Sequence, residues 1–117
     1  MKLDNSLDML VGETISGICF VMDYVEFHFH GPILRALTAP ILRHEGKEIQ
    51  FPSIGSRDAL CALINTEVVA VHHDKTTVIE LILKPAFTLI IPLSQEARIG
   101  PEAAHFVPAI DKPIQVW

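Results

Sequence analysis

The sequence has few of the residues that several protein classes require. Its two cysteines, Cys19 and Cys61, are too few for a disulfide framework and lack the spacing of a metal-binding cysteine motif. Basic residues are also scarce, since nine Lys and Arg stand against fourteen Asp and Glu, for a net charge of −5. A nucleic-acid-binding protein needs a basic surface to neutralise phosphates. We therefore expect no nucleic-acid partner.

Long apolar runs and glycine-rich loops are absent as well. The longest uncharged stretches, residues 14–22 and 85–95, fall far short of the roughly 20 residues that a membrane-spanning helix needs. The six glycines form neither a Gly-x-Gly-x-x-Gly pattern nor a phosphate-binding loop. Acidic residues precede the first apolar run, unlike in a secretory signal. We therefore expect a cytoplasmic protein without a membrane partner.

The sequence is rich in apolar residues, which make up 50% of the chain, whereas charged residues make up 20%. This composition excludes intrinsic disorder. A chain of 117 residues is long enough to bury one hydrophobic core and matches the length of one domain. The sequence therefore predicts a single domain over residues 1–117.

Alternation of apolar and polar residues is the main structural signal. Residues 24–30 place Val25, Phe27 and Phe29 on one face and polar side chains on the other, which is typical of a half-buried strand. Tight turns are predicted at Met22-Asp23 and Asp74-Lys75. Further strands are predicted at residues 14–22, 33–37, 67–73, 76–83, 86–91 and 114–117, and one short strand is predicted near residues 48–51 within a loop.

These signals predict a mainly β fold of the α+β kind, with an antiparallel sheet of six or seven strands in a small roll, barrel or sandwich. One short helix is predicted at residues 56–64, with Ser56 as N-cap and Asn65 ending it in the left-handed conformation. A proline near a helix start predicts a helical turn at residues 101–106. Residues 38–55 are predicted to be mostly loop.

Two of the predicted strands are apolar on both faces. Residues 78–83 and 87–91 do not alternate, although an antiparallel strand with one solvated face should. Either the sheet is covered on both sides, or a second chain covers it. Because only one short helix is available within the chain, we expect a homodimer.

Four stretches together carry a resemblance to a known group of proteins. They are residues 20–25, 57–64, 100–104 and 116–117. In this order and spacing, from Leu10 onward, the chain resembles a family of short, uncharacterised bacterial proteins of similar length. The resemblance implies a small bacterial domain. It implies no activity, so no catalytic residue follows from it.

Histidines provide the one pattern in the sequence that suggests a metal site. Glu26, His28 and His30 share one face of the predicted strand, and two histidines at i and i+2 can chelate one ion. His44, or one of His72 and His73, would complete a set suited to a divalent transition metal such as zinc, iron or nickel. Alternatively, these side chains are the polar face of a half-exposed strand and pair with cross-strand neighbours.

No complete catalytic set accompanies these histidines. Ser53, Ser56 and Ser94 lack a nucleophile-elbow motif, and Cys61 lies within the predicted helix. We therefore predict a non-enzymatic binding or interaction domain without catalytic residues or a required cofactor. It would act as a homodimer on a protein or small-molecule partner. The alternative is a small metal-dependent enzyme with its Glu/His site on residues 24–30.

Overall fold

A computed structural model of the chain describes residues 6–74, 76–108 and 112–117. The strands within these ranges are β1 (Gly17–Val21), β2 (Tyr24–His28), β3 (Ile33–Ala36), β4 (Ile41–His44), β5 (Lys47–Gln50), β6 (Val68–Asp74), β7 (Val78–Leu83), β8 (Phe87–Pro92), β9 (Ala104–Val107) and β10 (Gln115–Val116). Helix α1 spans Ser56–Cys61, and 3-10 turns span Ser6–Leu10 and Gln95–Ala97. No helix in these ranges has the length and apolar character needed to cross a membrane.

The strands form two antiparallel sheets of five strands each. The first sheet has the order β1-β2-β3-β9-β10, and the second has the order β5-β4-β8-β7-β6. The chain leaves the first sheet after β3, builds the second, and returns to the first with β9. The predicted mainly β, antiparallel class is confirmed. The strands are more numerous than the predicted six or seven and divide between two sheets.

The two sheets cross at a large angle around one core. Thr14, just before β1, forms a bridge with Glu67, just before β6. At the other end of β1, the Phe20 ring stacks on the Phe51 ring beside β5, with 5.9 Å between centroids. Because β5 and β6 are opposite edges of the second sheet, β1 runs across that sheet. Fully buried core residues come from both sheets and include Phe27, Leu34, Phe106, Ile79, Leu81 and Leu89.

Local alternation predicted the first hairpin well. Val25 and Phe27 are fully buried, as is Phe29 just beyond β2. Val21 pairs with Tyr24, so Met22 and Asp23 form the tight connection, as predicted. Partner strands on both sides of β2 satisfy its backbone groups, which is why the alternation holds over its whole length.

The predicted helical turn at residues 101–106 is wrong. Strand β9 begins at Ala104, halfway along this range, and pairs with β3, where Leu34 lies opposite Phe106 and Ala36 opposite Ala104. Ala104 and Phe106 are fully buried, whereas His105 between them is half-buried. Burial therefore has a period of two, and sheet pairing outweighs the helical preference of the alanines.

The predicted loop over residues 38–55 is partly wrong as well. It contains the hairpin β4–β5, whereas only the strand near residues 48–51 was predicted. The turn residues Glu45 and Gly46 have φ angles of 52° and 77°. Glutamate seldom adopts a positive φ, so the usual sequence signal for a two-residue hairpin turn is missing.

The predicted helix over residues 56–64 is present but shorter. α1 ends at Cys61, and the following residues continue as tight turns, with the Leu63 N–H donating to the Leu60 carbonyl. Gly55, and not Ser56, is the N-cap. Asn65 has a φ of 76°, as predicted. The strands on either side of the predicted Asp74-Lys75 turn are paired, with Asp74 opposite Val78, and Lys75 lies outside the described residues.

Candidate functional sites

A row of polar side chains crosses the outer face of the first sheet. Glu26, Arg35 and His105 lie opposite one another on β2, β3 and β9. Arg35 Nε donates to Glu26 Oε2 at 2.8 Å, and Arg35 Nη1 lies 3.0 Å from His105 Nδ1. Because arginine is a donor only, His105 Nδ1 must be the acceptor, so the ring proton belongs on Nε2. Arg35 therefore fixes the tautomer of His105.

The row continues at both ends. His105 Nε2 donates to Glu102 Oε1 at 2.7 Å, and His28 Nε2 lies 3.1 Å from Glu26 Oε1. His30 lies beyond the end of β2, is exposed and has a φ of 56°. The structure thus brings two of the predicted site residues, Glu26 and His28, into contact, while His30 follows the strand.

The Glu26 carboxylate is the electrostatic centre of this row. Partial burial of the carboxyl raises its pKa. Hydrogen bonds from Arg35 and His28 and the positive charge of Arg35 lower the pKa by more than burial raises it, so the net pKa is below the ordinary value of 4.5. The Glu26 side chain is 15% exposed. Glu26 therefore remains ionised and bound to Arg35 at neutral pH.

The row does not have the arrangement of a metal centre. Within residues 6–74, 76–108 and 112–117, no three or more His, Cys, Asp or Glu side chains are grouped so that they could hold a metal ion. Glu26 is paired with the Arg35 guanidinium, as in the alternative interpretation of a polar strand face. Metal binding by Glu26, His28 and His30 remains a prediction that direct metal analysis must test.

The other histidines that could have joined a site lie elsewhere. His44 stacks on Phe87, with 4.3 Å between ring centroids, and His44 Nδ1 donates to the Ala86 carbonyl at 2.9 Å. His72 is exposed on the outer face of the second sheet. His73 Nε2 accepts a hydrogen bond from Trp117 Nε1 at 2.8 Å. These three side chains therefore have separate local surroundings.

A cleft of about 600 Å³ lies between α1 and the β4–β5 hairpin. Its walls are mainly apolar and come from Leu42, Ile49, Phe87, Ala59 and Ala62. The charged or titratable residues that also line it are His44, Glu45, Lys47 and Glu48. This size and lining are typical of a ligand-binding pocket.

Local structure explains how the cleft arises. Leu42 and Ile49 are directly paired in the hairpin and share its inner face. On the opposite wall, Ala59 and Ala62 lie three positions apart, so they share one face of the helical segment. Because alanine is small, the helix covers the sheet without filling the space.

A second surface feature is the outer face of the second sheet. Ile41 and Ile82 are half-buried there, and Ile90 is 7% exposed although it points away from the core. Arg43 and Glu48 form an ion pair at the β4–β5 side of this face, with 2.7 Å between Nη2 and Oε2. At the β6–β7 side lie His72, Asp74 and Glu80. An apolar band thus runs between two charged margins.

Sequence reasoning missed the cleft because its walls are far apart along the chain. The one local signal was the pair Ala59 and Ala62 on the predicted helix face. The comparisons with known proteins add no candidate, since neither a protein-family model nor a curated protein nor a solved structure matches the chain. The resemblance to short bacterial proteins therefore remains a prediction.

Proposed function

We propose that this protein is a non-enzymatic binding domain that acts as a homodimer and binds its partner in the cleft beside α1. The observation that supports binding is the cleft itself, with mainly apolar walls and a few charged or titratable residues among its lining. The polar row on the first sheet contributes no nucleophile and no open metal position, since its carboxylate is held by Arg35. We therefore favour binding over catalysis.

The second copy is expected on the outer face of the second sheet. Five strands spaced about 4.8 Å apart, with six residues at about 3.3 Å each, give a face of roughly 500 Å². Two such faces bury about 1,000 Å², which is typical of a reversible interface. The apolar band of Ile41, Ile82 and Ile90 would lie at the centre of this interface.

The homodimer can be tested by light scattering after gel filtration over a series of concentrations. The chain of 13.0 kDa should have twice this mass at high concentration and return to it on dilution. Ile82→Glu should abolish the dimer, because the new charge would be buried in the apolar band. Val116→Glu, on the other sheet, is the matched control. A mass of 13.0 kDa at all concentrations would contradict the homodimer.

Binding in the cleft can be tested with a fluorescent apolar probe, anilinonaphthalene sulfonate. Its emission should increase in the native protein, and Ala62→Phe should remove most of the increase because the ring would fill the cleft. Cys61→Phe is the matched control, since Cys61 is also exposed but does not line the cleft. Equal emission from both variants and the native protein would contradict the cleft as the binding site.

The geometry gives one observation in favour of the alternative, a metal-dependent enzyme. Glu26 and His28 are within 3.1 Å and could both contribute ligands if Arg35 moved away. Metal analysis of protein purified without a polyhistidine tag decides the matter. We expect less than about 0.1 ion per chain, because Arg35 opposes a cation at this position. About one ion per chain, lost in His28→Ala with His30→Ala, would instead support the enzyme.

A further inference from the structure

Strand β5 provides an open sheet edge directly beside the cleft. It pairs with β4, and no described strand pairs with its other side. The Phe51 N–H donates to the Pro40 carbonyl at 3.0 Å. Because backbone groups alternate in direction along an antiparallel strand, those of Ile49 also point toward β4. The backbone groups of Glu48 and Gln50 therefore point away from β4, toward the open edge.

Most of these outward-pointing groups are available to a partner. The Gln50 carbonyl already accepts the Ser53 N–H at 2.9 Å and the Ser53 hydroxyl at 2.6 Å. Glu48 N–H, Glu48 C=O and Gln50 N–H form no hydrogen bond within the part of the chain that the structure describes. One incoming residue opposite Glu48 can satisfy both of its backbone groups, as in any hydrogen-bonded antiparallel pair.

The position of the cleft determines which side chains such a segment needs. Glu48 is on the outer face of the sheet, whereas Lys47 and Ile49 line the cleft on the inner face. A residue opposite Glu48 would also be on the outer face, and the residues before and after it would project into the cleft. Apolar side chains at these two positions would pack against Ile49 and against Ala59 and Ala62 on the helical wall.

Charge determines the residue between them. On the outer face, Glu48 is paired with Arg43 on β4. A basic residue on the other side of Glu48 would extend this row of alternating charge, and opposite charges in direct cross-strand positions are stabilising. A second copy of β5 is a poor match, because an antiparallel pairing centred on Glu48 would place two carboxylates opposite each other. The open edge therefore favours a different, basic segment.

We infer that the partner is an extended peptide that adds to β5 as a further strand, with a basic residue between two apolar residues. This inference rests on the proposed function, because the apolar side chains occupy the same cleft. It adds to the proposed function the backbone pairing with Glu48 and the alternating apolar-basic-apolar pattern of the peptide. A compact apolar small molecule would need neither of these.

The test uses a blocked peptide, Thr-Val-Lys-Val-Thr, titrated into the full chain and followed by calorimetry and amide chemical shifts. The amides of Glu48 and Gln50 should shift, since both donate toward the peptide side. Methylating the backbone nitrogen of the central Lys removes the donor to the Glu48 carbonyl and should weaken binding about tenfold or more. Replacing the central Lys by Glu should have a similar effect.

Variants of the chain test the charge pattern. Glu48→Lys should reverse the preference, so that the peptide with a central Glu binds more tightly than the one with Lys. Glu96→Lys is the matched control, since it makes the same charge change at an exposed position outside the cleft and should preserve the preference. Because Glu48 is half exposed, its substitution is not expected to unfold the chain.

The results separate this inference from the proposed function. If the methylated peptide binds as tightly as its parent, or the Lys peptide does not bind, strand addition is overturned. The cleft would then still be tested by the apolar probe and Ala62→Phe. If the probe also fails to bind, the proposed binding function is overturned too.

Discussion

Arg35 holds the polar row of the first sheet together. It donates from Nε to Glu26 and from Nη1 to His105, so one side chain on the central strand connects both neighbouring strands. Its side chain is only 24% exposed, which limits screening by water. The row is therefore expected to contribute to stability as a unit.

The first prediction concerns Glu26 and acid stability. Because its folded pKa is below 4.5, the carboxylate stabilises the fold fully above pH 4.5, and this contribution disappears as the pH falls through the folded pKa. Glu26→Gln should therefore lower the free energy of unfolding by about 1 kcal/mol at pH 7. The difference between variant and native protein should shrink below pH 4.5.

Urea unfolding at a series of pH values measures this effect. Glu96→Gln, at an exposed position in a 3-10 turn, is the control and should leave the unfolding free energy nearly unchanged. A constant difference between Glu26→Gln and the native protein from pH 7 to pH 3 would contradict the assigned ion pair.

At the scale of single residues, the sequence predicted two members of the polar row, Glu26 and His28. The two-residue period of a strand was enough to place Glu26 and His28 on one face. It could not identify Arg35 or His105 as their neighbours, because local alternation does not say which strands are adjacent. Arg35, whose positive charge makes Glu26 unsuited to bind a cation, was therefore not predicted as its partner.

The β4–β5 hairpin has its least favourable backbone conformation at Glu45. Glu45 has a φ of 52°, in the left-handed region of backbone conformation. Branched and long side chains adopt this region unfavourably, whereas Asn tolerates it well. Glu45→Asn should therefore raise the free energy of unfolding by about 0.5 kcal/mol. Gly46→Ala should lower it by about 1 kcal/mol, because Gly46 has a φ of 77°.

Thermal unfolding of the two variants checks this second prediction. Among the described residues, no atom beyond the two chain neighbours lies within 4 Å of a β-carbon placed on Gly46, so a loss of stability there would report backbone strain and not a steric clash. Opposite shifts in melting temperature are expected. A stability loss in both variants would show that the turn has a different conformation.

Elements whose signals are local were predicted, and those that depend on a distant partner were not. β2 carries its own alternation, β7 is a run of mostly apolar residues, and the turns around them contain suitable residues. The sequence predicts a helical turn before and within β9 because Pro101 suits a helix start, and only pairing with β3 makes residues 104–107 a strand. The cleft depends on both kinds of information, since it needs α1 and the unpredicted β4 together.

At the scale of the whole molecule, Trp117 joins the two sheets. It follows β10 of the first sheet, and its indole N–H donates to His73 on β6 of the second. The two rings also make an edge contact, with 5.2 Å between centroids. This contact supplements the Thr14–Glu67 bridge, which joins the sheets at the other end of β6.

The third prediction tests this connection. Trp117→Phe keeps an aromatic ring but removes the donor, so the free energy of unfolding should fall by about 1 kcal/mol. Urea unfolding followed by circular dichroism measures the change. His72→Ala, next to His73 but exposed on the opposite face, should have little effect. Equal stability of Trp117→Phe and the native protein would show that the hydrogen bond contributes nothing.

The return of the chain to the first sheet has a consequence for biosynthesis. Every strand of the second sheet precedes β9, so that sheet can assemble before β9 leaves the ribosome. One side of β3 stays unpaired until β9 has been synthesised, because Arg35 on β3 and His105 on β9 are 70 residues apart in the sequence. Such distant pairing slows folding. During this interval, the edge of β3 that β9 later covers has unpaired backbone groups, to which another nascent chain can bind.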